Sequence, residues 1–371
     1  MLGQRGSEVI LLSLIYFIVV LSVLVLIHEF GHFITAKKIG VRVEKFSIGF
    51  GPKIFSVRRG DTEYLVSSIP LGGYVKLAGD EPGEALKNEK WEFFSRCPLD
   101  RFKIIVAGPL FNYILAFLIF SFIFMFGSPT LTTEIGGFLS GYPAETSGLR
   151  VGDKIVAVDG KAVRHWEDMT EIIHKHAEGP IRLSLKRDNA GLEMEIAPIV
   201  RETKDIFGKP ARLALIGISP SQKIESIRHG FFQSFVMGYN KVVSLTVMTC
   251  KALYAVITGR LSVKESMTGP IGIFVITGQA AKLGLIYILN LMGILSASLA
   301  IFNLLPFPVL DGGHILFLGL EKLMGRPLSN RVQEYIMNFG IAFLILLTVL
   351  IFYNDIVKFG IASKLMGIFK R

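Results

Sequence analysis

Two histidines, a glutamate and a distant aspartate carry the chemistry open to this sequence. His28-Glu29-Phe30-Gly31-His32 is an H-E-x-x-H pattern. On an α-helix, positions i and i+4 differ by about 40° around the axis, so both imidazoles share one face. Two imidazoles on one face can hold one zinc ion. Glu29 then lies beside the metal, placed to take a proton from a water. Zinc lowers the pKa of a bound water to about 7, which makes hydroxide available near neutral pH. The pattern alone is common, but its setting is not. It follows the uncharged run 9–27, and ionisable groups at membrane depth are costly and usually functional. The plain alternative is a polar helix end emerging into water.

A catalytic zinc site wants three protein ligands and one open position. Asp311 is the first charge after the uncharged run 283–310, and it sits in Leu310-Asp311-Gly312-Gly313. Pro306 and Pro308 should break a helix just before it. Non-helical backbone at membrane depth is expected only where protein or a wet cavity surrounds it. The alternative for Asp311 is an ordinary helix terminus with an aspartate at a turn. His165, His174, His176, His229 and His314 are other conceivable ligands. His174 and His176 sit on a polar soluble helix, where surface histidines are the usual case.

Long apolar elements must position these residues. Hydrophobic residues make up 51% of the 371 and charged residues 19%, against about 25% charged in ordinary globular chains. Mean hydropathy is +0.52. Four uncharged runs, 9–27, 104–126, 283–310 and 335–354, are long enough to cross a bilayer as helices. The segment 231–257 is apolar but interrupted by Asn240, Lys241 and Lys251, and it reads as an amphipathic helix lying at the interface. A parity argument agrees. His28 and His32 end the first span and Asp311 ends the third, so both reach one metal only if those spans run the same way. The second span reverses direction once, which leaves no room for 231–257 to cross singly.

The net charge of +10 fits Lys and Arg gathered at a cytoplasmic membrane surface, and nucleic acid is not an expected partner. Between 37 and 103 there are 13 Lys or Arg against 9 Asp or Glu, and a short basic loop holds Lys322, Arg326 and Arg331. The first run is too long for a signal-peptide core and no A-x-A site follows it. Cys97 and Cys250 stand in no metal-ligand spacing and are expected to be free.

Three regions follow. Residues 1–127 form an N-terminal membrane part, with spans at about 9–37 and 104–126 and strand-like patterns in 40–80. Residues 128–225 are richer in charge and in turn signals such as Asp159-Gly160, which marks a soluble α+β domain. Residues 226–371 form a C-terminal membrane part, with the interfacial helix and spans at about 285–310 and 335–354.

His28-Glu29-Phe30-Gly31-His32 together with Asn303-Leu304-Leu305-Pro306-Phe307-Pro308-Val309-Leu310-Asp311-Gly312 resembles the site-2 protease family of intramembrane zinc metalloproteases. The closer resemblance is to the bacterial regulator-of-sigma-E proteases, and it runs nearly end to end. It includes Pro70-Leu71-Gly72-Gly73-Tyr74-Val75 and Gly108-Pro109-Leu110-Phe111-Asn112. The resemblance implies that His28, His32 and Asp311 ligate one Zn2+ and that Glu29 is the catalytic base. It implies that Asn112 and Asn303 hold the substrate backbone, and that a membrane-associated sheet, through Gly72, Gly73, Tyr74 and Val75, takes the substrate as an added strand. Residues 141–160 resemble a PDZ domain of the permuted bacterial type. Leu215, Ile216, Gly217 and Ile218 then resemble its carboxylate-binding loop, open to a peptide or protein C-terminus. There is room for a single such domain, where other members of the branch carry two.

The expected architecture is a polytopic α-helical membrane protein. It has four transmembrane helices, a membrane-associated β-hairpin or sheet, and an inserted α+β PDZ domain. The expected activity is zinc endopeptidase action on single-span membrane proteins, releasing a signalling fragment such as the cytoplasmic domain of an anti-sigma factor. The expected place is the bacterial inner membrane, crossed several times, with the active site toward the cytoplasm and the PDZ domain outside. A zinc carrier would need acidic or histidine residues along several spans, and the second and fourth offer none. A non-catalytic peptide scaffold predicts an altered H-E-x-x-H, and this one is complete.

Overall fold

Each uncharged run forms a helix that satisfies its own backbone, except that 304–310 of the third run is non-helical. A computed structural model describes residues 2–80, 89–176, 179–188, 190–204, 207–262, 268–326 and 328–360. The chain divides into two compact units. One comprises 1–122, 234–250 and 262–371, and the other 123–233 and 251–261.

The first unit is mainly helical. Helix α1 (Leu2–Ile39) carries the H-E-x-x-H pattern near its C-terminal end. A long hairpin follows, β1 (Val43–Arg59) and β2 (Thr62–Leu77). Ser47 faces Tyr74 on one flank and Leu65 on the other, so the hairpin folds back into a small sheet. Gly72 has φ +119, and a Cβ there would lie 2.5 Å from the Phe50 ring. Residues 73–77 follow this bend as a strand segment whose recorded partners all lie in 43–48.

Helix α2 (Pro98–Phe126) returns antiparallel to α1. Its Ile104 meets His32 and its Asn112 meets His28. In the helix Leu285–Asn303, Ser296 donates to the Asn112 carbonyl at 2.8 Å and Asn303 reaches His28. Its Ile288, near the other end, packs with Val20 and Leu24 of α1. The helix therefore runs the same way as α1, as the parity argument requires.

The structure adds three features to the sequence reading. Five described helices, not four, are long and apolar enough to span a membrane. The fifth is α5 (Phe231–Ile257), expected at the interface, with a mean hydropathy of 1.2 over its best window against 2.1 to 3.2 for the others. A separate short apolar helix, α6 (Pro270–Leu283), precedes α7 (Leu285–Asn303). Its first turn would leave orphan N–H groups in an apolar setting. Asp355, wholly buried, accepts them from Gly269 at 3.1 Å and Gly272 at 2.9 Å.

The third feature concerns Asp311. It is the first residue of α8 (Asp311–Met324), not the tail of α7. The non-helical stretch 304–310 carries Pro306 and Pro308, and Val309 has φ +82. The expected short basic loop is thus partly helical. Helix α9 (Asn330–Lys358) closes the unit, and 361–371 of the expected C-terminal part lie outside the described residues.

The second unit is α+β. Strands β3 (Ser128–Leu131) and β4 (Ile135–Phe138) open it, followed by the one-turn α3 (Pro143–Thr146). Strands β5 (Lys154–Val158), β6 (Lys161–Ala162), β7 (Ile181–Arg187) and β8 (Ala190–Ile196) form a sheet in the order β6-β5-β7-β8. Helix α4 (Trp166–His174) covers it with Met169 and Ile173. Strands β9 (Ile199–Lys204), β10 (Pro210–Leu215), β11 (Ile218–Pro220) and β12 (Ile224–Ile227) complete the unit. β9 pairs with β10, β11 with β4 and β12 with β3. Ile155, Ile181, Leu183 and Leu185 are buried at its centre. Alternation along Ile181–Arg187 places one face of β7 in this core, the pattern of a half-solvated antiparallel strand.

Candidate metal centre

The two imidazoles are held from behind by one stripe of α2. Ile104, Gly108 and Asn112 recur at four-residue spacing and face His32 and His28. The Ile104 carbonyl lies 2.8 Å from His32 Nδ1. A carbonyl only accepts, so Nδ1 carries the proton and Nε2 keeps the free lone pair. Asn112 Nδ2 lies 3.3 Å from His28 Nδ1. Gly108 makes this approach possible, because a Cβ there would stand 2.3 Å from His32 Nε2 and 2.9 Å from His28 Cε1.

The front atoms converge. The Nε2 atoms of His28 and His32 are 3.2 Å apart. Asp311 places Oδ2 3.1 Å from His28 Nε2 and Oδ1 3.6 Å from His32 Nε2. Among the described residues these three side chains form the one cluster of His, Cys, Asp or Glu suited to a metal. Zinc at 2.0–2.1 Å from tetrahedral ligands sets them about 3.3 Å apart, so the spacing fits. So does the chemistry, since two ring nitrogens this close repel unless a cation or proton lies between them. Gly312 and Gly313 bring Asp311 in, because their own backbones lie against that of 304–308.

The cluster lines a cavity of about 430 Å³ that also receives Glu29, Val75, Asn303 and His314. Val75 N–H donates to Glu29 Oε2 at 3.1 Å. The base candidate and the 73–77 segment are thus in direct contact.

The other expected site residues fall in different places. Asn112 is fully buried behind His28 and does not line this cavity, whereas Asn303 does. Gly72 and Gly73 pack inside the hairpin, and Tyr74 stacks on Phe50 at 6.2 Å. Only Val75 of that set lines the cavity. His314, one of the other conceivable ligands, lines the cavity without joining the metal cluster, and Ile104 is a site neighbour that the sequence did not single out. A backbone carbonyl leaves no side-chain signature, whereas His314 lies one helical turn beyond Asp311.

In the second unit, Ile216 is core and Ile218 packs against it. Gly217 has φ +82 and lies against Tyr142. The Ile216 and Gly217 carbonyls accept the Ala144 and Leu139 N–H groups, both at 2.9 Å. A groove of about 930 Å³ runs just before this loop, between α4 and β10, with Thr170, His174, Arg212 and Leu213 in its walls. Leu215 to Ile218 are not among its lining residues.

Known proteins match the chain along nearly its whole length. The sequence pattern of peptidase family M50 matches residues 16–347. A provisionally named zinc metalloprotease of Agrobacterium fabrum is 34% identical over 357 residues, covering 92% of this chain and 94% of its own. The zinc metalloprotease RasP of Bacillus licheniformis is 28% identical over 424 residues, covering 93% and 98%. The PDZ domain of an SdrC-like protein of Listeria innocua covers 25% of this chain and 96% of its own, with 22% identity and a TM-score of 0.20. Apolar helices and zinc metalloprotease relatives together define a membrane-embedded metalloprotease. The chain belongs to peptidase family M50.

Proposed function

We propose that this chain is an intramembrane zinc endopeptidase. It hydrolyses a peptide bond in or beside the transmembrane segment of single-span membrane proteins, and so releases a signalling fragment such as the cytoplasmic domain of an anti-sigma factor. One observation carries the reading: His28, His32 and Asp311 converge on a cavity that also receives Glu29 and the Val75 strand segment.

His28, His32 and Asp311 would hold one zinc ion, which would supply a Lewis acid and acidify a water. Glu29 takes the water proton through its carboxylate and passes it to the leaving amine. Val75 N–H, 3.1 Å from Glu29 Oε2, fixes where that carboxylate points. A peptide bond is attacked only when its carbonyl is free of helical pairing, so the substrate must be extended. Segment 73–77 suits it as a template, since strand addition supplies main-chain hydrogen bonds independent of side chains. Asn303, in the cavity wall, holds the substrate backbone there.

The parallel course of α1 and α7 supports four crossings, with α5 at the interface. The excess of Lys and Arg in 37–103 supports a cytoplasmic active site in the bacterial inner membrane, with the second unit outside. That unit serves as a PDZ domain, for which the 141–160 and 215–218 motifs are the support, and takes a peptide or protein C-terminus.

The test is cleavage of a model single-span substrate by the full chain in lipid discs, located by mass spectrometry, with zinc measured in parallel. Wild type should cut within or next to the span and hold one zinc per chain. Glu29→Gln should keep the zinc and lose about 10²–10⁴ in kcat. An active Glu29→Gln variant, or cleavage confined to soluble peptides, would overturn the reading.

A further inference from the structure

We infer that Asn112 is a positioning residue that fixes the tautomer of His28 for metal binding, not a group that holds the substrate backbone. The inference rests on the zinc protease reading above.

The two imidazoles are related in a simple way. Each turns Nε2 toward Asp311 and Nδ1 toward α2. An imidazole that binds metal through Nε2 must carry its proton on Nδ1, and that proton needs an acceptor. His32 has one in the Ile104 carbonyl. For His28 the group in that place is the Asn112 side chain, two helical turns further along the same stripe of α2.

Asn112 has the burial and the fixation that this role needs. It is 0% exposed, and it is absent from the lining of the cavity where substrate must lie. Its main chain is pinned, since Ser296, itself 0% exposed, donates to the Asn112 carbonyl at 2.8 Å. Its Oδ1 is buried without a hydrogen-bond partner, while Nδ2 is the end that lies 3.3 Å from His28 Nδ1. The two ends of an amide are distinguished by their partners. With metal on Nε2, Nδ1–H must donate, so the amide turns its oxygen to His28 and the orphaned acceptor gains a donor. A substrate-binding asparagine would instead need to reach the cavity, as Asn303 does.

The variants Asn112→Leu and Asn112→Asp separate the two roles. Leu keeps the shape and removes the acceptor. Asp keeps an acceptor and removes the donor that a substrate carbonyl would need. Zinc affinity is measured on the full chain in detergent by competition with a chromophoric chelator, and the visible spectrum of the Co2+-loaded protein reports ligand geometry. Asn112→Leu should bind zinc about 10–100-fold more weakly, the usual cost of losing an outer-shell partner, and should shift the Co2+ spectrum. Asn112→Asp should hold zinc within about threefold of wild type or more tightly.

The inference is overturned if folded Asn112→Leu keeps wild-type zinc affinity, or if Asn112→Asp loses zinc more than about tenfold. Should the leucine variant not fold, the aspartate arm still decides. Wild-type chain that binds no zinc would sink the protease reading itself. Wild type that binds it, with both variants unaffected, would sink only the role of Asn112.

Discussion

Asp153 and Asp311 are both carboxylates withdrawn from water, and they are neutralised in opposite ways. In the second unit Asp153 keeps 1% of its side-chain surface and meets Arg187 at 2.8 and 2.7 Å. It also accepts the Arg150 N–H at 2.8 Å. Arg187 in turn donates to the Gly148 carbonyl at 2.9 Å. That set is closed: one cation, one anion, and partners for both. Asp311 keeps 18% and meets two imidazoles whose inner nitrogens are already committed to α2. Two imidazoles and one carboxylate, turned toward a single point, suit a cation from outside. The first arrangement braces a fold; under the zinc reading proposed above, the second would leave one coordination position to be used.

The largest expected effect breaks the open arrangement. Asp311→Asn keeps the shape and removes the charge. Zinc affinity should fall by more than two orders of magnitude, beyond the 10–100-fold of an outer-shell loss, and turnover should vanish. Melting of the second unit should not change. Metal titration beside hydrogen exchange over residues 150–187 checks both halves. Retained zinc would mean that Asp311 only caps α8.

Breaking the closed arrangement should do the converse. Arg187→Met removes the cation that both carboxylate oxygens of Asp153 meet, so the second unit should melt at a lower temperature. Zinc content should be unaffected. The hydrogen bond from Arg187 holds the Asp153 carboxyl below its ordinary 3.8, against the upward push of burial and with help from the Arg150 N–H. A lowered folded-state pKa stabilises above the unfolded value and is lost as pH falls through the folded one. Wild type should therefore lose stability in this unit as pH drops below about 3.8, and Arg187→Met should show a flatter acid limb. Equal acid limbs in the two proteins would show that the pair does not brace the unit.

The contrast also explains what the sequence could disclose. His28, Glu29 and His32 are legible because one helical period places them. The common direction of α1 and α7 is legible because span parity constrains it. Asp311 is legible by charge, yet its placement as the first residue of α8 is not, since a turn and a helix start share the same glycines. Helix α6 stays hidden because Gly269, Pro270 and Gly272 read as a connection ahead of the uncharged run 283–310, and Gly284 at φ +116 separates it from α7. Helix α5 is legible as a helix but not as a span or an interfacial element: its length and hydropathy admit a crossing, while Asn240, Lys241 and Lys251 interrupt it. The set behind the histidines is least visible. Ile104 contributes a carbonyl, and Asn112 belongs to a motif whose resemblance points it at substrate.

A smaller change sharpens the comparison at its narrowest point. Gly108 lies between the imidazoles and α2, where an added Cβ would stand 2.3 Å from His32 Nε2. Gly108→Ala forces that ring to move by a fraction of an ångström while leaving every ligand in the sequence. Alanine is the better helix former by about 1 kcal/mol, so α2 itself gains local propensity. The expected result is a loss of about tenfold in zinc affinity with thermal stability of the apo chain near wild type, read by chelator competition and by melting in excess chelator. If zinc affinity holds, the histidines tolerate displacement and the rigidity ascribed to the α2 stripe is wrong. If apo stability collapses instead, Gly108 serves helix packing first, and the open arrangement depends on α2 only through the hydrogen bonds of Ile104 and Asn112.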